Sequence, residues 1–243
     1  KIILYIVKLP VFVFWLGAVF LGLSPQEVSA KSNRSLADSL QVLHFQIGGV
    51  EFAMQRVDGG VYVMGGTKEQ HCEAVATDLP THTVSLYAYY IATTEVTQAL
   101  WKAVMPEWYI SSEWNTPTLP ITDVNWYDCQ EFIHRLDSIT GMPFRLPTEA
   151  EWEFAARGGN YCKGYKFSGG SSIAKVGWCA ENSGMETHDV KSRDANELGI
   201  YDMSGNVAEW CNDWKGPYDS SIKVNPQGAD MGIYRVLRGG SWI

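Results

Sequence analysis

The stretch Tyr201–Trp214, YDMSGNVAEWCNDW, sets Asp202 and Glu209 among Tyr201, Trp210 and Trp214, with Gly205 near its middle. Oxygen donors this dense on a loop suit a hard cation. Calcium takes about six to eight oxygens, and irregular chain leaves main-chain carbonyls that one ion satisfies several at a time. The aromatics would pack beneath such a site and exclude water. The same acids admit a plainer reading, in which Asp202 and Glu209 only accept hydrogen bonds from neighbouring backbone.

Other chemistry-bearing residues are more scattered. Cys72, Cys129, Cys162, Cys179 and Cys211 show no CxxC spacing and no adjacent His-rich tract, which argues against zinc. His71, His82, His134 and His188 each stand without a carboxylate at helical spacing and read as structural, while His44 precedes the expected domain. TEAEWE (148–153) is rich in carboxylates, but they fall in a first helical turn, where they complement the helix dipole; a cap is expected there, not a glycosidase pair.

Elements that would position these residues are legible in part. VEFAMQRVDGGVYVMGG alternates around Asp58-Gly59-Gly60 and predicts a hairpin. HTVSLYAYYIATTEV predicts one half-buried strand. In VNWYDCQEFIHRLDSITG, Cys129, Phe132, Ile133, Leu136 and Ile139 recur at three- and four-residue steps between a capping Asn125 and a terminating Gly141. In LPTEAEWEFAARGG, Thr148 and Glu151 form a capping box and Gly158 ends the helix. From Gly159 onward turn residues and isolated tryptophans dominate. A loop-rich stretch of that length inside one domain signals function or a bound metal.

The first thirty residues read as an export signal. Lys1 and Lys8 precede the uncharged run Val11–Leu23, too short to span a bilayer, and Val28-Ser29-Ala30 offers a small-residue cleavage site. Residues 31–46 are expected to be a linker and 47–243 the domain. The protein would be periplasmic, secreted or in a secretory lumen, off the membrane once cleaved, and in an oxidising compartment its cysteines would be structural or in disulfides. The formal charge of −8 argues against nucleic acid or an anionic membrane as partner. A start at Lys and a finish inside a strand-like YRVLRGGSWI suggest clipped ends.

Six segments in order, GGVYVMGG, PTHTVSLYAYYIATTEVT, PITDVNWYDCQEFIHRL, FRLPTEAEWEFAARGG, LGIYDMSGNVAEWCNDW and RVLRGGSW, resemble the signatures of the formylglycine-generating enzyme, or sulfatase-modifying factor, family. The resemblance implies an α+β, C-type-lectin-like fold with little regular secondary structure and structural calcium. Ten tryptophans and twenty-three glycines suit that architecture. Carried over residue by residue, it places the calcium ligands at the Asp202 side chain, the Gly205 and Val207 carbonyls and the Glu209 side chain; a second family calcium site finds no convincing match, though Asn182 is a candidate. It also implies oxidation of a sulfatase cysteine to formylglycine with O2 and copper held by two thiolates. The first of those thiolates would fall at position 244, beyond Ile243. Ser241 matches the family's active-site serine, or else is a strand-end hydroxyl that bonds backbone. Ala208 stands where active members carry a pocket tryptophan. The expected function is therefore an exported formylglycine-generating oxidoreductase acting on a sulfatase polypeptide, with a non-catalytic module binding a protein or glycan as the alternative. An iron-dependent sulfoxide synthase is discounted for want of a helical bundle bearing histidines.

Overall fold

The computed structural model describes residues 4–6, 41–68, 78–110 and 115–243. The apolar run Val11–Leu23, Cys72 and His71 lie outside them. Among the described residues no helix is long and apolar enough to cross a membrane.

Two sheets share one long, bent ribbon of chain. Strands β1 (Tyr5–Ile6), β2 (Val42–Ile47), β3 (Val50–Val57), β6 (Tyr89–Ala92) and β7 (Phe144–Arg145) form a five-stranded sheet in the order β2-β3-β6-β1-β7. Strands β4 (Gly60–Met64), β5 (His82–Leu86) and β9 (Lys223–Val224) form a second sheet, and β8 (Glu209–Trp214) pairs with β10 (Arg235–Arg238). Val57 lies opposite Tyr89 and Gly60 lies opposite Leu86, so β3 with β6 and β4 with β5 are two halves of one antiparallel ribbon.

The ribbon corrects two expectations. Asp58-Gly59-Gly60 is no hairpin: the chain continues in the same direction and changes sheets there. The predicted single strand over 82–96 is likewise split at Tyr87-Ala88. Glycine is needed at the crossing because a Cβ on Gly59 would sit 2.5 Å from the Leu86 carbonyl oxygen. Burial reports the change of sheet: β5 alternates, as a strand with one wet face does, whereas all four residues of β6 are buried at the centre of the larger sheet.

The stretch expected to be a linker gives way to β2 at Val42, paired with β3 through six consecutive residues, so His44 sits within the domain opposite Ala53. Tyr5–Ile6, inside the expected export segment, pairs with β6 on one side and β7 on the other.

Helix α1 (Gln98–Val104) is capped by the Thr97 side chain. Helix α2 (Trp126–Thr140) carries a capping box between Asn125 and Asp128 and ends at Gly141 with φ of 68°. Its buried stripe is Cys129, Phe132, Ile133 and Leu136; Ile139, expected to belong to it, is 53 % exposed. Helix α3 (Glu149–Ala156) has the expected box between Thr148 and Glu151, yet every residue from Ala150 to Ala155 is buried. Its acids are matched by arginines: Glu151 receives Arg145, and Glu153 receives Arg157 at 2.8 Å and Arg238 at 2.6 Å. That pairing is what makes two carboxylates tolerable in the interior. A one-turn helix, α4 (Ile173–Val176), follows. The core stacks Trp101 on Phe132 at 4.7 Å, with α1 and α2 backing the larger sheet.

Candidate functional site

The 201–209 loop is wound tightly and tied at each step. Tyr201 N–H donates to the Thr93 carbonyl, just past β6. Asp202 (φ 60°), Gly205 (φ 90°) and Asn206 (φ 56°) all occupy the left-handed region. Gly205 is required twice over, since a Cβ there would lie 1.9 Å from the Trp178 carbonyl oxygen.

Both acids proposed from sequence are interior. Asp202 is 2 % exposed and its Oδ2 accepts the Lys191 N–H at 2.7 Å; Glu209 is fully buried and its Oε2 accepts the Trp152 indole N–H at 2.6 Å. Each carboxylate therefore already holds a neighbouring segment. Among the described residues no three His, Cys, Asp or Glu side chains gather into a metal-holding group. The ligands that the resemblance implies for an ion at this loop are the Asp202 and Glu209 carboxylates and the Gly205 and Val207 carbonyls. That donor set is all oxygen, and it fits calcium in kind. Asn182, the candidate for a second ion, caps a turn instead: its Oδ1 accepts the Cys179 N–H and its Nδ2 donates to the Gly177 carbonyl.

Asn206 is the residue that sequence reasoning missed. Fully buried, it accepts the His188 N–H through Oδ1 at 3.0 Å and donates through Nδ2 to Glu95 Oε2 at 2.9 Å and to the His188 carbonyl at 3.1 Å. Its main chain donates to the Trp178 carbonyl and accepts the Trp242 N–H. The side chain thus ties the loop to Glu95 and His188, and the main chain of the same residue ties it to Trp178 and to the segment bearing Ser241. Asparagine tolerates the left-handed region and carries both donor and acceptor, the only sequence signals available. His188, read as a lone residue, lies flat on Trp178 at 3.6 Å, while the Arg193 guanidinium sits 3.5 Å from the same ring.

Ser241 follows Gly239 (φ 92°) and Gly240 (φ 73°), and its hydroxyl donates to the Ile243 carbonyl at 3.0 Å. The Gly205 N–H donates to the Gly239 carbonyl, and Ser183 Oγ to the Trp242 carbonyl, so the loop and the 178–188 segment both hold the stretch bearing Ser241. Ser241 opens onto a groove of about 460 Å³ whose walls include Lys166, Phe167, Cys179, Glu181 and Gly240. Ala208 is half-buried just before β8.

Copper chemistry finds no support in these thiols. Cys129, Cys162, Cys179 and Cys211 are all free, so among the described residues the expected disulfides are absent. Burial pushes the Cys129 thiol up to about 12 and the Cys211 thiol well above its ordinary value, which disfavours thiolate at both. Cys179 lines the Ser241 groove and Cys162 a different one. The residues present do not form the two-thiolate site that cuprous copper prefers.

Residues 50–243 match the family model described as the sulfatase-modifying factor enzyme 1-like domain. The chain belongs to that family. It is 36 % identical over 154 residues to the formylglycine-generating enzyme of Streptomyces coelicolor, spanning 57 % of this chain and 46 % of that protein, so it covers about half of that relative's length. It is 30 % identical over 210 residues, 66 % of this chain and 71 % of the other, to the chaperone protein LppX of Paenibacillus barcinonensis. Treponema denticola variable protein 1 superposes with a TM-score of 0.71 at 32 % identity, over 83 % of this chain and 87 % of that one. The sulfatase-modifying factor domain and its α+β, C-type-lectin-like fold thus agree with the motif reading.

Proposed function

We propose that this chain is an exported protein of the formylglycine-generating type whose Ser241 groove receives an extended, cysteine-bearing segment of a sulfatase. The observation that carries this reading is the groove itself. Its wall at Gly240 bears no side chain, and a Cβ there would face open space, so a main chain can lie close along it. The Ser241 hydroxyl spends its proton on the Ile243 carbonyl, which leaves its oxygen able to accept a hydrogen bond from a bound client. Asn206 and Gly205 hold that wall in register with the loop. We include calcium at Asp202, Gly205, Val207 and Glu209 as the ion that fixes the loop.

In relatives bearing the enzyme's name, copper-dependent oxidation is what the resemblance implies. The thiols described here do not fit copper, so no oxidation step is assigned to them. Ala208, standing where the resemblance implies a pocket tryptophan, favours a second reading in which the domain binds a client without modifying it.

One experiment separates these. A fluorescein-labelled peptide carrying a sulfatase-motif cysteine is titrated by anisotropy, then incubated with protein, copper(I) and O2 and analysed by mass spectrometry. Binding weakened by Ser241→Ala with aldehyde formation supports the enzyme; binding with the cysteine unchanged supports the module. Absence of binding overturns both.

A further inference from the structure

A second cavity lies across the Gly239-Gly240 turn from the Ser241 groove. Its volume is about 610 Å³, within the roughly 300–1,000 Å³ of small-molecule sites. Trp152, Trp210, Tyr218 and Tyr234 line it. The Trp152 indole N–H is spent on Glu209 and that of Trp210 on the Val124 carbonyl, and neither acceptor borders the cavity. What the two indoles offer to a ligand is hydrocarbon. Tyr234 stands at the mouth, 71 % exposed, its carbonyl held by the Lys215 N–H at 2.8 Å.

Set among the rings is a fixed polar pair, Glu149 and Arg238, 3.5 Å apart with 14 % and 19 % side-chain exposure. Arg238 is also anchored to Glu153 at 2.6 Å, so the pair cannot swing away. Asp78 and Lys215 add one charge of each sign at the rim. Arg235 is occupied between the Trp126 and Trp214 rings, at 3.8 and 3.6 Å. Acids and bases therefore nearly cancel. A charged ligand would lose hydration without finding a matching excess charge, and a purely apolar one would strip water from Glu149 and Arg238 with nothing in return.

We propose that this cavity binds a neutral saccharide. A pyranose presents a C–H face that packs on aromatic rings and, on its rim, hydroxyls that each both donate and accept. Glu149 supplies the acceptor and Arg238 the donor at fixed spacing, and Tyr234 closes over the exposed face of the sugar ring. The assignment does not rest on the polypeptide reading of the Ser241 groove, and Tyr234 is no part of that groove.

The test is isothermal titration of the whole protein with lactose, cellotriose, chitotriose and maltotriose, beside 3′-sialyllactose and a sulfated heparin disaccharide. At least one neutral sugar is expected to bind. Tyr234→Ala, at an exposed position, and Glu149→Gln should each weaken it about tenfold or more, the loss of a stacking face and of a charged hydrogen bond respectively. Tyr234→Ala should leave peptide anisotropy at the Ser241 groove unchanged. Should Glu149→Gln impair folding, Tyr234→Ala alone decides. The proposal is overturned if none of the four neutral sugars binds, if binding withstands Tyr234→Ala, or if the charged sugars bind more tightly.

Discussion

Replacing Asn206 by alanine should cost several kcal/mol of stability. The side chain makes one bond to a carboxylate, Glu95 Oε2, and two to the His188 main chain. A charge-assisted bond contributes about 1.5–3 kcal/mol and each neutral one about 0.5–1.5, so the three together amount to about 2.5–6 kcal/mol. Alanine at φ of 56° adds about 1–2 kcal/mol of backbone strain that asparagine largely avoids. A loss of about 4 kcal/mol lowers the melting temperature by roughly 8–16 °C in a domain of this size. Urea unfolding followed by tryptophan fluorescence reads the stability directly. Hydrogen exchange supplies the structural readout: the Trp242 N–H, which donates to the Asn206 carbonyl at 2.8 Å, should lose protection earlier than the core amides of β6. Glu95→Gln is the matched control, because an amide oxygen still accepts from Asn206. If Asn206→Ala costs less than about 1 kcal/mol, below the range for even two neutral bonds, the residue does not organise the site and the reasoning fails.

Three further outcomes follow from the same geometry. Calcium at the 202–209 loop, at about 100 times its dissociation constant, adds about 2.7 kcal/mol, so EGTA should lower the melting temperature by roughly 5–11 °C, and an unchanged curve would count against the ligand assignment. Gly205→Ala, which drives a Cβ to 1.9 Å from the Trp178 carbonyl oxygen, should destabilise by more than about 3 kcal/mol in urea unfolding and abolish peptide binding at the Ser241 groove; a near-neutral result would mean that the loop is not wound as described. Burial raises the Asp213 carboxyl to about 7 despite the hydrogen bond it accepts from the Glu149 N–H, so the folded state holds this proton more firmly than the unfolded chain. The stabilisation is complete below the unfolded value of about 4 and is lost as pH rises to about 7, a span worth on the order of 4 kcal/mol. Asp213→Asn should therefore flatten the fall in stability between pH 4 and 7, and a variant whose pH profile matches the parent's would refute the assignment.

What was legible in the sequence, and what was not, divides by the range of the physics. Caps are local. Asn125 as a cap and Thr148 with Glu151 as a capping box can be read directly and both are present, and the structure adds Asp128 to Asn125 to complete a second box. Strand partners are not local. Asp58-Gly59-Gly60 carries hairpin chemistry, but the partner that decides its geometry is Leu86 to Ala88, whose backbone presses so closely that only glycine fits. By position the acids of α3 suit the helix dipole, and Glu151 does cap the helix. The burial of Glu153, however, depends on Arg238, 85 residues away. Ser241 and the loop acids were found through motif resemblance, which transfers positions but not the bonds that hold them. Asn206 shows the difference most clearly: it lies between two expected calcium ligands and was passed over because its partners, Glu95 and His188, sit 111 and 18 residues away. A residue's chemistry can be read from its type, but its role is set by the contacts that the fold brings to it. In a domain with so much irregular chain, most of those contacts come from far along the sequence, so the site could be located from motifs while the side chain that holds it together could not.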